Sequence, residues 1–137
     1  MIVINYWAVL VAGVANMALG MLWYSPLLFG KLWMKYSGIS MESMEKHKKG
    51  MGVRYAVAFL AGLLMAYILA HFMILLPIEN VQVGLETAFW IWLGFMATIY
   101  LDPVLWENKS VKLYFINIAY RLASLMVMTA IFVVWKI

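Results

Sequence analysis

Long apolar stretches alternate with short polar ones along this chain, and the alternation divides it into four segments of membrane-spanning length. A helix needs about 20 mostly apolar residues to cross a hydrocarbon layer of about 30 Å, because each residue advances it by about 1.5 Å. Such stretches run approximately over residues 2–24, 51–76, 83–106 and 111–135. Unpaired backbone N–H and C=O groups are costly in lipid, so each stretch is predicted to be a helix.

The polar stretches fall where these helices are expected to end. Pro26 follows Trp23 and Tyr24, whose amphipathic rings favour a membrane interface, and it predicts the end of the first span. The turns at residues 77–82 and 107–110 are short and polar, which predicts antiparallel neighbours. The pattern therefore predicts an all-α, polytopic membrane protein, a four-transmembrane-helix bundle that forms a single domain over residues 1–137.

The longest connection, residues 25–50, is predicted to contain two short helices. Its first part, LLFGKLWMKY, spaces its apolar residues as in an amphipathic helix that lies in the membrane interface between helices 1 and 2. Its second part, SMESMEKHKKG, has the features of a capped helix, with Ser40 as N-cap and Gly50 as the stop.

The distribution of basic residues predicts the orientation. The second loop carries only acids, whereas the first loop is flanked by most of the basic residues and the third by two, in order Lys31, Lys35, Lys46, Lys48, Lys49, Arg54, Lys109 and Lys112. By the positive-inside rule, loop 25–50 faces the cytoplasm and both termini lie outside a cell membrane. Lys136 is the one mild disagreement.

Composition supports lipid as the surrounding solvent and narrows the function classes. The chain is 67% hydrophobic and 12% charged, with a mean hydropathy of +0.93, whereas a soluble domain is about half apolar and a quarter charged. It has no cysteine, which excludes disulfides and thiolate metal sites. Membrane lipids account for the net charge of +4, so no nucleic-acid partner is predicted. The common nucleotide-binding and hydrolase motifs are absent, and neither enzymatic activity nor a cofactor is predicted.

Two blocks of sequence carry a family resemblance. They are GMLWYSPLLFGKLWMKYSGIS at residues 20–40 and WIWLGFMATIYLDPVLWENKSVKLYFINIAYRLASLMV at residues 90–127. Through them the chain resembles the domain of unknown function 1761 family over essentially its whole length, and WYSPLLFGKLW is the most specific part. The resemblance implies a small bacterial or related protein with several membrane spans and no established activity, and it supplies no catalytic residues.

Arg121 is the most informative single residue, because it lies about ten residues into the fourth span, where a charge costs roughly 2.5–3.5 kcal/mol. Thr98 in the third span is predicted at a similar depth, and Asp102 about 9 Å nearer the cytoplasm. Four-residue spacing places Thr98 and Asp102 on one face of the third span. Asn117, Arg121 and Ser124 share a face of the fourth. These faces predict a polar seam, which either fixes the helix register or lines a hydrated pathway or ligand site.

Two further patterns lie on the first two spans. Tyr67 and His71, one turn apart, predict a proton-transfer or hydrogen-bonding site; no second histidine or acidic cluster accompanies them as metal ligands. Small residues at four-residue spacing predict close helix packing, with an interhelical hydrogen bond from the one asparagine in the set, which is Ala12, Asn16, Gly20, Ala58, Gly62 and Ala66.

Two functions fit these features. The first is a small transporter or channel that uses the seam between helices 3 and 4 as its polar path. The alternative is a non-catalytic structural or accessory subunit, packed through the small-residue faces within a homo-oligomer or a larger membrane complex. A lipid-modifying enzyme rests only on the interfacial WYSPLLFGKLW segment and ranks third.

Overall fold

The computed structural model describes residues 1–135, which form helices and connections without a strand. The elements in chain order are α1 (Tyr6–Trp23), α2 (Gly30–Ser37), α3 (Met41–Lys46), α4 (Met51–Leu75), α5 (Val81–Ile91), a π-helical turn (Trp92–Ala97), a 3-10 turn (Ile99–Leu101), α6 (Asp102–Trp106) and α7 (Val111–Val134). Lys136, which disagreed with the predicted orientation, lies outside the described residues.

Four helical segments are long and apolar enough to cross a membrane. They are α1, α4, the run Val81–Trp106 from α5 through α6, and α7. We refer to the run Val81–Trp106 as the third span. The predicted all-α architecture with four membrane-spanning helices is confirmed.

Two helices begin at residues other than those predicted, because side-chain caps determine where they start. The first helix was predicted from Ile2 but begins at Tyr6, because the Asn5 side chain accepts hydrogen bonds from the next helical N–H groups. The third span was predicted from Val83 but begins at Val81, because the side chain of Asn80 caps it in the same way. Hydropathy marks the apolar length of a span, whereas the cap fixes where the helix starts.

Helix α7 lies at the centre of the bundle and packs against both α1 and the third span. Helix α4 packs mainly on α1 and less extensively on α7, so α4 and the third span have little contact with each other. The tightest packing is among fully buried side chains of α1, α4 and α7, including Ala8, Ala12, Ala66, Ala70, Met128 and Phe132. This arrangement closes one side of α7 and leaves a gap on the other.

Residues 25–50 cover one end of the bundle, which we call the loop end. Helix α2 contacts the start of α7, where the Lys112 ammonium lies 5.3 Å from the centre of the Tyr36 ring. The Trp33 ring meets the Tyr24 ring edge-on, with their centroids 6.0 Å apart. The aromatic residues of α2 therefore anchor it to both α1 and α7.

The second short helix, α3, begins as predicted and ends earlier. Ser40 is its N-cap, because the Ser40 hydroxyl oxygen accepts a hydrogen bond from the backbone N–H of Ser43 at 3.1 Å. The predicted stop at Gly50 is wrong. The helix ends at Lys46, and the His47 ring Nδ1 lies 2.6 Å from the Ser43 carbonyl oxygen of the last turn. Gly50, with a φ of 98°, forms the turn into α4.

Candidate functional site

Four polar side chains lie within two turns at the middle of α7 and point to two different sides. They are Asn117, Tyr120, Arg121 and Ser124. Three of them make hydrogen bonds with residues of α1 and its C-cap, whereas Arg121 turns toward the third span. The two sides therefore differ in the hydrogen-bond partners of their polar groups.

On the α1 side, Asn16 connects the two helices. Its side-chain oxygen accepts hydrogen bonds from the hydroxyls of Ser124 and Tyr120, the latter at 3.2 Å. The Tyr120 hydroxyl also lies 3.1 Å from the Asn16 carbonyl oxygen. All three residues are buried, and the two hydroxyls and the Asn16 side-chain oxygen have protein partners in place of water. The interhelical hydrogen bond predicted for Asn16 is confirmed.

Nearer the loop end, two aromatic residues hold α1 to α7. The Tyr24 hydroxyl donates to the Asn117 side-chain oxygen at 2.7 Å, and the Trp23 indole N–H donates to the carbonyl oxygen of Ile116 at 3.2 Å. Burial raises the pKa of Tyr24, which lies just past the end of α1, although the positive charge of Arg121 acts in the opposite direction. The phenol is therefore a neutral donor.

On the other side of α7, Arg121 has a different environment. Its Nε donates to the hydroxyl of Tyr100 at 2.8 Å. The centre of the guanidinium lies 5.0 Å from the Tyr120 ring centroid and 6.0 Å from that of Tyr100. Cation–π contacts of this kind contribute about 0.5–2 kcal/mol each, which offsets part of the cost of placing the charge in a membrane span.

The guanidinium borders a cavity of about 790 Å³ between α1, α4, α7 and the third span. We call this cavity the chamber. Its polar side chains are Asn16, Tyr24, Tyr55, Tyr100, Tyr120 and Arg121, and the rest of its wall is glycine, alanine and methionine. No carboxylate is among the residues that line it. The chamber therefore combines a positive charge with hydroxyl groups and an apolar wall.

The π-helical turn of the third span brings Tyr100 to Arg121. Residues of the third span that face α7 follow a four-residue step from Gly84 through Ala88 to Trp92, which donates to the Ile118 carbonyl at 2.7 Å. The next buried residue, Ala97, comes after a five-residue step because the π turn inserts one residue. Beyond that step, residues are rotated by about 100° from their positions in an uninterrupted α-helix.

The predicted polar seam between helices 3 and 4 is therefore corrected in its third-span half. Thr98 is exposed and its hydroxyl donates to the Gly94 carbonyl of its own helix at 2.8 Å. Asp102 is exposed at the start of α6 and does not line the chamber. Tyr100 pairs with Arg121 instead. The predicted face was the wrong one, because Trp90 and Gly94, which precede Thr98 at four-residue steps, are exposed as well, and the face turned to α7 is the one of Gly84, Ala88 and Trp92.

Two of the three seam residues predicted on the fourth span contact the α1 segment rather than the third span. Asn117 and Ser124 both bond to side chains of the α1 segment, namely Tyr24 and Asn16. Arg121 alone of the predicted set lines the chamber. The structure thus divides the five predicted residues into two that contact the α1 segment, one that lines the chamber and two that are exposed.

The Tyr67 and His71 pair lies on α4, away from the chamber. The His71 Nδ1 is 2.9 Å from the Tyr67 carbonyl oxygen, and the two rings meet edge-on with centroids 4.6 Å apart. The hydrogen-bonding role considered for His71 is therefore present within one helix. Within residues 1–135, no cluster of three or more histidine, aspartate or glutamate side chains is positioned to hold a metal ion.

The small-residue faces of the first two spans lie mostly inside the bundle. Ala12, Asn16, Gly62 and Ala66 are buried at the contact of α1 with α4. A methyl group added at Gly62 would lie 2.6 Å from the Asn16 amide nitrogen. The two remaining members differ: Gly20 packs against the Tyr120 hydroxyl, and Ala58 is exposed and lines the chamber.

Sequence reasoning missed the tyrosines of this site. Tyr24 was assigned to the interface, Tyr100 lies off the predicted face, and Tyr120 precedes the arginine that drew attention. Buried tyrosines usually find a hydrogen-bond partner. The presence of several tyrosines at a depth similar to that of Arg121 was therefore the sequence signal that could have indicated its hydrogen-bond partners.

A comparison with protein families identifies the chain. A family model described as "Protein of unknown function (DUF1761)" matches residues 7–133. The chain belongs to this family. No curated protein matched the chain, and no solved structure did. The resemblance inferred from the two sequence blocks is thereby confirmed.

The family match includes every residue that lines the chamber. The match also contains the WYSPLLFGKLW block. Its first two residues, Trp23 and Tyr24, make the hydrogen bonds with α7. The backbone of Gly30 lies against the Tyr24 and Ser25 carbonyl groups, so closely that a Cβ there would be 2.5 Å from the Tyr24 oxygen. The block therefore folds the chain back at the loop end and positions α1 against α7.

Proposed function

We propose that this chain is a cell-membrane transporter or channel for an anionic solute, which binds in the chamber at Arg121. The single observation that supports this function is the guanidinium of Arg121 at a cavity of about 790 Å³ without a lining carboxylate. A charge in a membrane span usually has a charged partner or marks a solute pathway. Here Arg121 contacts the side chains of two tyrosines, Tyr100 and Tyr120.

The hydrogen bonds of Arg121 favour an anion in particular. A guanidinium has five N–H donors and no acceptor, and within residues 1–135 only Nε has a hydrogen-bond acceptor, the Tyr100 hydroxyl. The other donors suit the oxygens of a carboxylate or phosphate, which guanidinium binds in a bidentate manner. The apolar wall of the chamber strengthens such a pairing because it lowers the local dielectric constant.

The alternative function, a structural or accessory subunit, has less support. It was motivated by small-residue faces available to a partner, and most of these residues are buried between α1 and α4 of the same chain. A role of Arg121 in fixing the helix register is also less favoured, because the Asn16 network already joins α1 to α7. Assembly into a homo-oligomer stays a prediction, and the small-residue faces no longer support it.

The proposed orientation places the loop end in the cytoplasm, since basic residues concentrate there. The chain has no native cysteine, so labelling of a single introduced cysteine shows on which side of the membrane that residue lies. We expect a membrane-impermeant maleimide to label Glu79→Cys in intact cells, and Ser43→Cys only after permeabilisation. Both side chains lie in helix-connecting or short helical segments outside the spans. The reverse pattern of labelling would contradict the orientation.

Anion flux tests the function directly. Purified protein in liposomes is loaded with chloride, inorganic phosphate or acetate, and efflux is followed for the wild type and for Arg121→Gln. We expect protein-dependent efflux of at least one anion and a loss of about tenfold or more in the variant, because tenfold corresponds to about 1.4 kcal/mol of binding free energy. That loss is within the range for one charge-assisted hydrogen-bonded pair.

The chain offers a matched control for this experiment. Arg54 and Arg121 are its two arginines, and Arg54 is exposed near the start of α4 and does not line the chamber. Arg54→Gln makes the same change of charge and is expected to leave efflux unaltered. Efflux that is absent in the wild type, or equally reduced by both substitutions, would contradict a transport role for the Arg121 chamber.

A further inference from the structure

An apolar groove on the surface of the bundle adjoins the chamber. This groove, of about 340 Å³, lies between α4 and the third span, with Leu125 of α7 at its floor. Ala61, Met65 and Met96 line both cavities. The two cavities are therefore separated by no more than these three side chains, of which one is an alanine and two are flexible methionines.

The groove has the character of a site for a hydrocarbon chain. Its lining consists of alanine, leucine, isoleucine, methionine and phenylalanine. On α4 it extends from Ala61 to Phe72, a distance of about 16 Å at 1.5 Å per residue. That length is about half of the 30 Å hydrocarbon layer, which is the depth of a single leaflet.

The groove is open to the side because of the helix arrangement. Helix α4 rests mainly on α1 and the third span rests on α7, so the two walls of the groove do not close on each other. Leu64, Ile68 and Phe72 on the α4 wall are all exposed. In a membrane this opening faces lipid, and it gives an amphiphilic molecule a lateral entry to the chamber.

We propose that the anion bound at Arg121 is the head group of a single-chain amphiphile, a carboxylate or phosphate whose hydrocarbon chain lies in the groove. This inference rests on the proposed function and names the substrate class of the same site. The positive charge without a lining carboxylate selects an anionic head group, and the adjoining apolar groove selects a chain. A chainless anion uses only the first of these features, and a neutral amphiphile only the second.

Photo-crosslinking tests the position of both ends of the ligand. The probe is dodecanoate with a diazirine at the end of its chain, added to the full-length protein in nanodiscs, and the labelled peptides are mapped by mass spectrometry. We expect labelling on the outer part of the groove, at Ile68, Phe72 or Ile91. We also expect competition by unlabelled dodecanoate or dodecyl phosphate, which distinguishes a carboxylate from a phosphate source, and no competition by dodecanol.

Two pairs of variants separate the head group from the chain. Arg121→Gln is expected to reduce specific labelling about tenfold, with Arg54→Gln as its control. Ala61→Phe places a bulky ring where the chamber and the groove adjoin and is expected to have a similar effect. Its control is Ala56→Phe, since Ala56 is also an exposed alanine of α4 but does not line either cavity.

The outcomes distinguish this inference from the proposed function. Competition by acetate or inorganic phosphate as strong as that by dodecanoate, dependent on Arg121 but not on Ala61, would overturn the amphiphile and leave anion binding in place. Labelling that is unchanged in Arg121→Gln would overturn both. Labelling confined to the groove, lost in Arg121→Gln and Ala61→Phe and retained in both controls, would support the inference.

Discussion

The polar side chains on the two sides of α7 differ in how fully protein partners satisfy their hydrogen bonds. Toward α1, the hydroxyls of Tyr120 and Ser124 meet Asn16 in a buried contact in which each group has a protein partner. Toward α4 and the third span, Arg121 has one hydrogen-bond partner among residues 1–135, Tyr100, and borders an open chamber. Polarity in the middle of a membrane span is therefore not by itself evidence of a site. The closed side holds the bundle together, whereas the open side leaves donors available.

Substitution at Asn16 is expected to have the largest effect on stability. Asn16→Leu removes the acceptor of Ser124 and one acceptor of Tyr120, and we expect it to lower the free energy of unfolding by about 2–3 kcal/mol, because a buried donor without a partner costs about 1–3 kcal/mol. Thermal unfolding in detergent measures the change. Met17→Leu, at a neighbouring residue that lines the chamber, is the control and is expected to have little effect. Equal stability of Asn16→Leu and wild type would refute the structural role of the closed side.

The contact between α1 and α4 predicts the next largest effect. Gly62→Ala places a methyl group 2.6 Å from the Asn16 amide nitrogen, and overpacking of this kind costs about 1–3 kcal/mol. Gly52→Ala, on the same helix with open space around it, is expected to be neutral or stabilising by up to about 1 kcal/mol, since alanine favours the helix. If the two variants had the same unfolding temperature, the close packing at Gly62 would be incorrect.

A pair of tyrosine variants compares the two sides directly. Tyr120→Phe removes a donor of the closed network and is expected to cost about 1 kcal/mol, the typical net value of a hydrogen bond. Tyr100→Phe removes the partner of Arg121; its cost should be smaller, because water in the chamber is able to replace the lost acceptor. Chemical denaturation of both variants provides the measurement. A larger loss for Tyr100→Phe would mean that the Arg121 side is as structural as the α1 side.

The smallest expected effect has the opposite sign. Thr129 is fully buried in α7, and its hydroxyl is the buried side-chain group of residues 1–135 that has no hydrogen-bond partner. Thr129→Val keeps the shape and removes that group, so a gain of about 0.5–1 kcal/mol in unfolding free energy is expected. The unfolding temperature reports the sign. A loss of stability would show that this hydroxyl has an acceptor in the folded protein.

The membrane-spanning architecture could be predicted from the sequence because length and hydropathy determine it. The helices occupy nearly the predicted ranges, and the differences at Tyr6 and Val81 come from side-chain caps. The site could be predicted only in part. Arg121 was identified from its energetic cost alone, but its neighbours were not, since Thr98 was assigned to a face that is turned away from α7, and hydropathy does not reveal the π turn that directs Tyr100 toward Arg121.

The choice of helix neighbours was the second limit on prediction. Short loops indicated that the third span and α7 are adjacent, which the structure shows. They contained no information on the contact of α7 with α1, where Tyr120 meets Asn16 from 104 residues away in the chain. That contact depends on complementary side chains rather than on the connecting segments. The closed side could therefore be located only once the helices were assembled.

The central position of α7 has a consequence for how the bundle is assembled in the membrane. Helix α7 is the last of the four spans to be synthesised, whereas α1 and α4 contact each other and are able to pair as soon as both are inserted. The third span has its main contacts with α7 and must wait in the bilayer as an unpaired helix until α7 arrives. Insertion of α7 is therefore the event that completes the four-helix bundle and creates its interior cavity.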